Sequence, residues 1–220
     1  MKTNHMFAGA MLALVILSSC GNKNESVDAN AQQEAAVATP LSKSFNVDAT
    51  TSKLGWAGTK VTGAHNGTIN IQSGTISVEN DEIKAGSFVV DMNTIANTDL
   101  TDKKMNGDLV GHLASPDFFD VAKFPSSKFE ITAAQKLAAA DSLGNNYQIT
   151  GNLTIKDITK NITFPANVTM DSTQFAATAK FTIDRTDWNI QYGSGKFFKG
   201  LGDKMINDKI DFDLNLVAKP

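Results

Sequence analysis

Gly111-His-Leu-Ala-Ser-Pro-Asp-Phe-Phe-Asp-Val-Ala-Lys-Phe-Pro-Ser-Ser-Lys-Phe129 carries four of the chain's 13 phenylalanines, at positions 118, 119, 124 and 129. Pro116 and Pro125 restrict the residues before them, Ser115 and Phe124, to extended backbone, so no long regular helix runs through the stretch. It has to be a compact, turn-rich element that buries its rings in something larger than itself. Two readings are open: a packed corner of a core, or a plug or mouth at the end of an apolar cavity.

Outward from this stretch the chain reads as short strands between turn signals. Upstream, Leu54, Trp56 and Gly58 alternate with Lys53, Gly55 and Ala57, and Phe88, Val90 and Met92 share one face. Downstream, Lys128–Thr132 resumes strand, Tyr147, Ile149, Leu153 and Ile155 alternate across polar residues, and Asp157 introduces a turn. Pro165, after Ile162 and Phe164, suits a strand edge or end, because proline cannot donate to a ladder. Phe175 to Ile183 pairs with Val168 and Met170 across the Asp171-Ser172 turn. The last strand alternates most cleanly, with Ile210, Phe212, Leu214 and Leu216 set against Asp211, Asp213 and Asn215. Period-2 patterning with one apolar face predicts antiparallel sheet with one dry side.

Eight to ten such strands in one domain of about 175 residues predict a sheet closed on itself, since closure removes apolar edges. The inward positions (Trp56, Phe88, Val90, Phe129, Ile149, Leu153, Phe164, Phe181, Phe212 and Leu214 among them) are nearly free of charge. An eight-stranded barrel is either filled by its side chains or just wide enough for one small ligand, and periodicity leaves both open.

Two segments break the strand pattern. Between Asn97 and Pro125, Met105, Leu109, Val110, His112 and Leu113 have helical spacing, with Thr101 as the expected cap; this short helix is predicted to cross one end of the sheet. Between Asp184 and Lys209, Trp188, Tyr192, Phe197 and Phe198 interleave with glycines, as either a flexible lid or a permanent cover over a barrel end. Arg185, the single arginine, lies between Asp184 and Asp187 and reads as a local ion-pair anchor. His112 is read as a structural hydrogen-bonder or a ligand contact. It and His65 are remote in sequence and sit in no ligand-spaced cluster, so no metal site is expected. No nucleophile–base pair or carboxylate pair stands out, so catalysis and catalytic residues are not expected.

Residues 1–19 read as a signal peptide: Lys2 precedes an apolar run, Met6 to Leu17, too short to span a bilayer. Leu17-Ser-Ser-Cys20-Gly21 reads as a lipobox, with Cys20, the only cysteine, lipidated at the start of the mature chain. No intrachain disulfide can form. A lipid on Cys20 would tether the domain to a membrane without spanning it, and places the protein in the bacterial cell envelope, on the periplasmic side or at the outer membrane. Residues 20–43, rich in Asn, Gln, Ala and Glu, are predicted to be the lipidated cysteine and a flexible linker, and 44–220 the folded domain. The formal charge is −3 for the whole chain and one unit more negative once Lys2 is removed. With one arginine and no basic face, nucleic-acid binding is excluded.

Three blocks, in order, carry a family resemblance: His112-Leu-x-Ser-x-Asp-Phe-Phe-Asp-Val-x-Lys-Phe-Pro125, Gly151-Asn-Leu-Thr-Ile-Lys-Asp-Ile-Thr-Lys160 and Asp184-Arg-Thr-Asp-Trp188. Over residues 44–218 the chain resembles the YceI-like family. It departs where that family usually has Arg-Asp upstream of the histidine, here Asn106–Gly111, and where an early His-Ser pair is replaced by Thr51-Ser52. The resemblance implies an all-β, extended eight-stranded antiparallel lipocalin-like barrel with a short helical segment at one end. It also implies a long-chain amphiphile in the pore, a polyisoprenoid, isoprenoid quinone or similar lipid, with no other cofactor. The ligand would then touch the ten interior residues named above and, at the mouth, His112, Phe118, Phe119, Trp188 and Phe198. The alternative is a filled barrel acting as an envelope scaffold or protein-interaction module. A second copy of the chain, as a homodimer, is left open as a partner.

Overall fold

The computed structural model describes residues 25–220; the signal peptide and Cys20 lie outside them. Nine strands occur in order: β1 (Lys43–Val47), β2 (Lys53–Lys60), β3 (Gly63–Glu79), β4 (Glu82–Asn97), β5 (Ser126–Lys136), β6 (Tyr147–Ile155), β7 (Ile158–Met170), β8 (Phe175–Asp184) and β9 (Ile206–Lys219). One α-helix, α1 (Lys103–Ala114), lies between β4 and β5. All strand pairs are antiparallel, and β2 through β9 close into a ring because β9 pairs with β2 and β3 with β4. Strand β1 is not an additional stave. It lies between β3 and β9, in line with β2, so one of the eight staves is built from two pieces. At the break, Asp48 Oδ1 accepts the Thr50 N–H at 3.1 Å, and Ser52 Oγ takes the place of a backbone partner for the Val217 N–H at 3.0 Å.

Two-residue turns join β3 to β4 and β6 to β7. Asn80 and Asp81 have φ of 51° and 58°, and Lys156 and Asp157 have 56° and 72°, the left-handed pair that suits a right-twisted hairpin. The barrel's two ends differ. One is sealed by side chains: Phe45, Ile76, Tyr147, Phe175 and Ala218 are all buried there, with the Phe45 and Phe175 rings 6.4 Å apart. Tyr147 satisfies its hydroxyl on the Asp81 carbonyl at 3.1 Å. The opposite end carries the β2–β3 hairpin, α1 and the long β8–β9 connection.

The helix begins one residue later than its sequence suggested. Asp102, not Thr101, is the N-cap, and its carboxylate accepts the Met105 N–H at 2.8 Å. Both residue types cap well; the one whose oxygen reaches the third following N–H prevails. Val110, Leu113 and Ala114 pack with Phe119 onto Ile69, Met92, Ile95 and Val121, holding α1 over the barrel end. Asn106 fixes the helix from the polar side, donating to the Asn97 and Leu100 carbonyls, both at 3.0 Å.

The barrel is splayed on one side. Strands β7 and β8 pair only from Asn167↔Thr178 to Met170↔Phe175; nearer the helical end they have no mutual ladder. Pro165 therefore lies inside β7, not at its end, and is tolerated because β8 has already diverged there. The gap is filled from outside by the segment read from its composition as a flexible linker. Val27 N–H donates to the Thr182 carbonyl at 2.8 Å, and Asn30 and Asn161 exchange both backbone bonds, at 2.8 and 3.0 Å. Farther on, buried Asn152 clasps Gln33, accepting its N–H at 3.0 Å and donating to its carbonyl at 2.7 Å, and Ala36 N–H reaches the Ile131 carbonyl at 2.9 Å. The linker expectation is thus corrected for this stretch. Backbone bonds to a splayed sheet edge hold it, an interaction that leaves no apolar periodicity to read. Replacing Asn152 by leucine is expected to cost about 2 kcal/mol, the order for stranding polar partners. Hydrogen exchange should then show the Gln33 amide losing protection while β6 keeps its own; unchanged protection at Gln33 would contradict the clasp.

Candidate functional site

Inward residues of every stave enclose a cavity of about 530 Å³, within the size range of small-molecule sites. That it is hollow follows from the side chains themselves. Phe88, Phe129, Leu153, Phe181, Phe212 and Leu214 all point inward, yet none is fully buried, because they do not meet across the barrel axis. Gly151 leaves room for the Phe129 ring: a Cβ there would collide with it.

Five phenylalanines run around the wall. Phe88 and Phe129 are 6.3 Å apart, Phe129 and Phe164 5.5 Å, Phe164 and Phe181 4.4 Å, and Phe181 and Phe212 5.4 Å between ring centres. Two of these contacts are direct cross-strand pairs, Phe88↔Phe129 and Phe181↔Phe212. The stacked Phe164–Phe181 pair bridges the splayed β7–β8 gap from within. Such a girdle presents flat, polarisable faces to whatever occupies the axis.

Polar groups on the cavity wall are few and mostly engaged. Ser127 Oγ contacts Met92 Sδ at 3.1 Å. His65 Nδ1 lies 2.8 Å from Asp99 Oδ2, and His112 Nε2 lies 2.9 Å from Asp117 Oδ2. Hydrogen bonds from the Asn66 N–H and then from His65 push the Asp99 carboxyl down to about 2. Among the described residues the Trp56 indole N–H is the one buried side-chain polar atom without a partner. No group of three or more His, Cys, Asp or Glu residues among them is placed to hold a metal ion.

The mouth opens at the helical end, where exposed Lys60, Gly63, Asp203 and Lys204 join the cavity lining. His112 lines the cavity at this end. It meets Phe118 and Tyr192 edge to face, at 5.0 and 4.7 Å between ring centres. Arg185, behind these rings, is buried and held by local partners. It donates to the Ile190 carbonyl at 2.9 Å, the Asn207 carbonyl at 3.2 Å and Asp208 Oδ1 at 3.1 Å. Burial pulls its pKa below the ordinary guanidinium value, opposed by the Asp208 carboxylate. It anchors an ion pair as read from sequence, but with Asp208 and not with its sequence neighbours.

Of the residues expected to touch a ligand, all line the cavity except Trp188 and Phe198. Trp188 is wholly buried behind the wall and donates its indole N–H to the Leu153 carbonyl at 3.0 Å, so it props up the β8–β9 connection. Phe198 lies outside, on the rim, half-exposed to solvent. Conversely, Tyr192, Met92, Ala177 and Ala179 line the cavity and were absent from that expectation. Met92 and the two alanines continue inward alternations visible in sequence; the position of Tyr192 depends on the loop's path, which periodicity does not encode.

Residues 45–218 match the YceI-like domain family. A UPF0312 protein of Yersinia pestis (strain Pestoides F) is 33% identical over 92 residues, covering 38% of this chain and 44% of that protein. The protein YceI of Salmonella arizonae is 40% identical over 57 residues, 26% of this chain and 27% of its own length. The matched stretches thus span less than half of these curated relatives. Among solved structures, BcnA of Burkholderia cenocepacia aligns with a TM-score of 0.58 at 24% identity, covering 79% of this chain and 99% of its own. A polyisoprenoid binding domain of Saccharophagus degradans, implicated in plant cell wall breakdown, aligns with a TM-score of 0.56 at 16% identity, covering 80% and 97%. At those identities the structural likeness speaks to fold.

Proposed function

The chain belongs to the YceI-like domain family, and from that premise we propose that it binds and carries a long-chain apolar amphiphile, of the polyisoprenoid or isoprenoid-quinone type, in the barrel. The observation that carries the reading is the hollow interior: an apolar cavity with one sealed end, one mouth and a girdle of five phenyl rings. An alkyl or prenyl chain entering it gains about 0.8 kcal/mol per methylene removed from water, so a long tail binds firmly with few polar contacts. The scarcity of free polar groups on the wall fits that economy. His65, His112 and Arg185 are spent on local partners, which favours holding over chemistry. The name of the Saccharophagus degradans relative lends the isoprenoid class its support. A lipid on Cys20 would keep this carrier at the cell envelope. The filled-barrel scaffold is the weaker reading, because side chains that could close the axis stop short of it.

Native mass spectrometry of the chain from residue 21, exported and unlipidated, is expected to show one adduct per barrel that extracts into organic solvent as a long-chain isoprenoid. A bare mass that stays bare after incubation with a prenylated benzoquinone and a polyprenyl alcohol would overturn the carrier reading.

A further inference from the structure

The rim of the mouth is apolar where a soluble protein's surface is ordinarily polar. Val61 at the tip of the β2–β3 hairpin is 56% exposed, Phe197 and Phe198 48% each, Tyr192 43% and Met205 41%. Val61 and Met205 are neighbours in space, and Tyr192, Phe197 and Phe198 lie on the same β8–β9 connection as Met205. Val61 N–H donates to the Met205 carbonyl at 3.3 Å, and Phe197 and Phe198 are turned outward by bonds from both their N–H groups to the Ser194 carbonyl, at 3.2 and 3.0 Å. Val61, Lys196 and Met205 together floor a shallow groove beside the mouth.

Lysines interleave this apolar patch. The hairpin tip (58–63) and the loop 192–206 carry Lys60, Lys196, Lys199 and Lys204 against Asp203, while Asp208 also lines the groove and Asp184 pairs with Lys196, leaving Lys60, Lys199 and Lys204 as the lysines of the patch, in a chain whose net charge is −3. The chain's path adds a second, independent observation. The described residues enter the fold at this same end: Val27 bonds to Thr182, two residues from the Asp184 carboxylate that pairs with Lys196.

We propose that this rim is a membrane-docking surface, which seats the mouth on a bilayer containing anionic headgroups independently of any lipid on Cys20. Aromatic and aliphatic tips enter the interface while lysines reach headgroup phosphates, the pattern of interfacial binding. Only the reason for a mouth to face a bilayer is taken from the carrier reading.

The unlipidated chain from residue 21, which keeps every described residue, is mixed with vesicles of phosphatidylethanolamine and phosphatidylglycerol and sedimented. The wild-type chain is expected to pellet with them, and less so as salt rises or when phosphatidylcholine replaces both lipids. Phe197→Asp with Phe198→Asp should weaken partition at least about tenfold. Lys60, Lys199 and Lys204 all changed to Gln should weaken it about a hundredfold, near fivefold for each lysine. Melting temperature is expected to stay as in the wild type for both variants, and so is uptake of a hydrophobic dye for the phenylalanine variant, whose two positions lie outside the cavity lining. Equal pelleting of wild type and variants, or none by the wild type, overturns the proposal. So does a wild-type dimer in sedimentation velocity that the two phenylalanine changes abolish. Loss of dye uptake by the wild type itself would count against the carrier reading alone and leave the vesicle result to decide the docking surface.

Discussion

Replacing Arg185 with methionine is expected to lower stability by about 3–5 kcal/mol, the cost of removing one member of a buried charge pair. Arg185 is 1% exposed and its Asp208 partner 15% at the side chain. The methionine would fill much of the volume but leave the Ile190, Ile206 and Asn207 carbonyls, as well as Asp208, without their donor. Those groups belong to both ends of the β8–β9 connection, so the loss should first loosen the segment that sets Tyr192 and the mouth. Urea unfolding is the direct measurement, and a fall in melting temperature of roughly 10 °C is expected. Asp208→Asn should cost only about 1 kcal/mol, since a neutral acceptor remains on the more accessible side of the pair. The rival role for a lone arginine beside a cavity is anion capture. On that reading Arg185→Met would spare stability and weaken only ligands with a charged headgroup, so the two measurements separate the roles.

How much of this was legible in sequence varies by the kind of interaction. Strand β9 was fully legible, because Phe212, Leu214 and Leu216 alternate with Asp211, Asp213 and Asn215 and the alternation is itself the physical cause of which side faces in. Closure into a barrel followed from the number of such strands and the hazard of leaving apolar edges open. The hollow was not legible. Whether Phe129 meets anything across the axis depends on barrel diameter, to which an inward position is blind. The girdle was out of reach for a related reason: Phe88 and Phe212 each read as inward, but only the strand register makes them members of one row of rings. Trp188 was misplaced because an aromatic on a glycine-rich loop looks alike whether it covers a mouth or is buried behind a wall. The docked stretch from Val27 to Ala36 left the least trace. Its first partners are backbone groups of β7 and β8 freed by a splay, which only Pro165 hinted at, and its later ones are the Asn152 side chain on β6 and the Ile131 carbonyl on β5.

Replacing both Ala177 and Ala179 with phenylalanine is expected to close the cavity and abolish uptake. These alanines face inward on β8, opposite Leu216 and Leu214 on β9, and both line the hollow. The two added phenyl groups would reach into the hollow, but Ala177 and Ala179 are themselves buried among core neighbours, so an overpacking cost of about 1–3 kcal/mol is expected. New apolar contacts across the axis should offset part of that cost, so the variant is expected to stay folded with at most a modest fall in melting temperature. If the pair excludes the equivalent of about five methylenes of bound chain, affinity falls by ~4 kcal/mol, roughly a thousandfold. Thr178→Phe is the matched control: it adds the same group to the same strand, but on the exposed outer face, and should leave uptake intact. Titration with a hydrophobic dye and then with a prenylated benzoquinone reads the effect. Undiminished uptake by the double variant would mean that the ligand lies elsewhere, and the hollow could no longer be its site. Loss of uptake with retained stability would tie binding to the space itself, because no polar group has been touched and no wall residue removed.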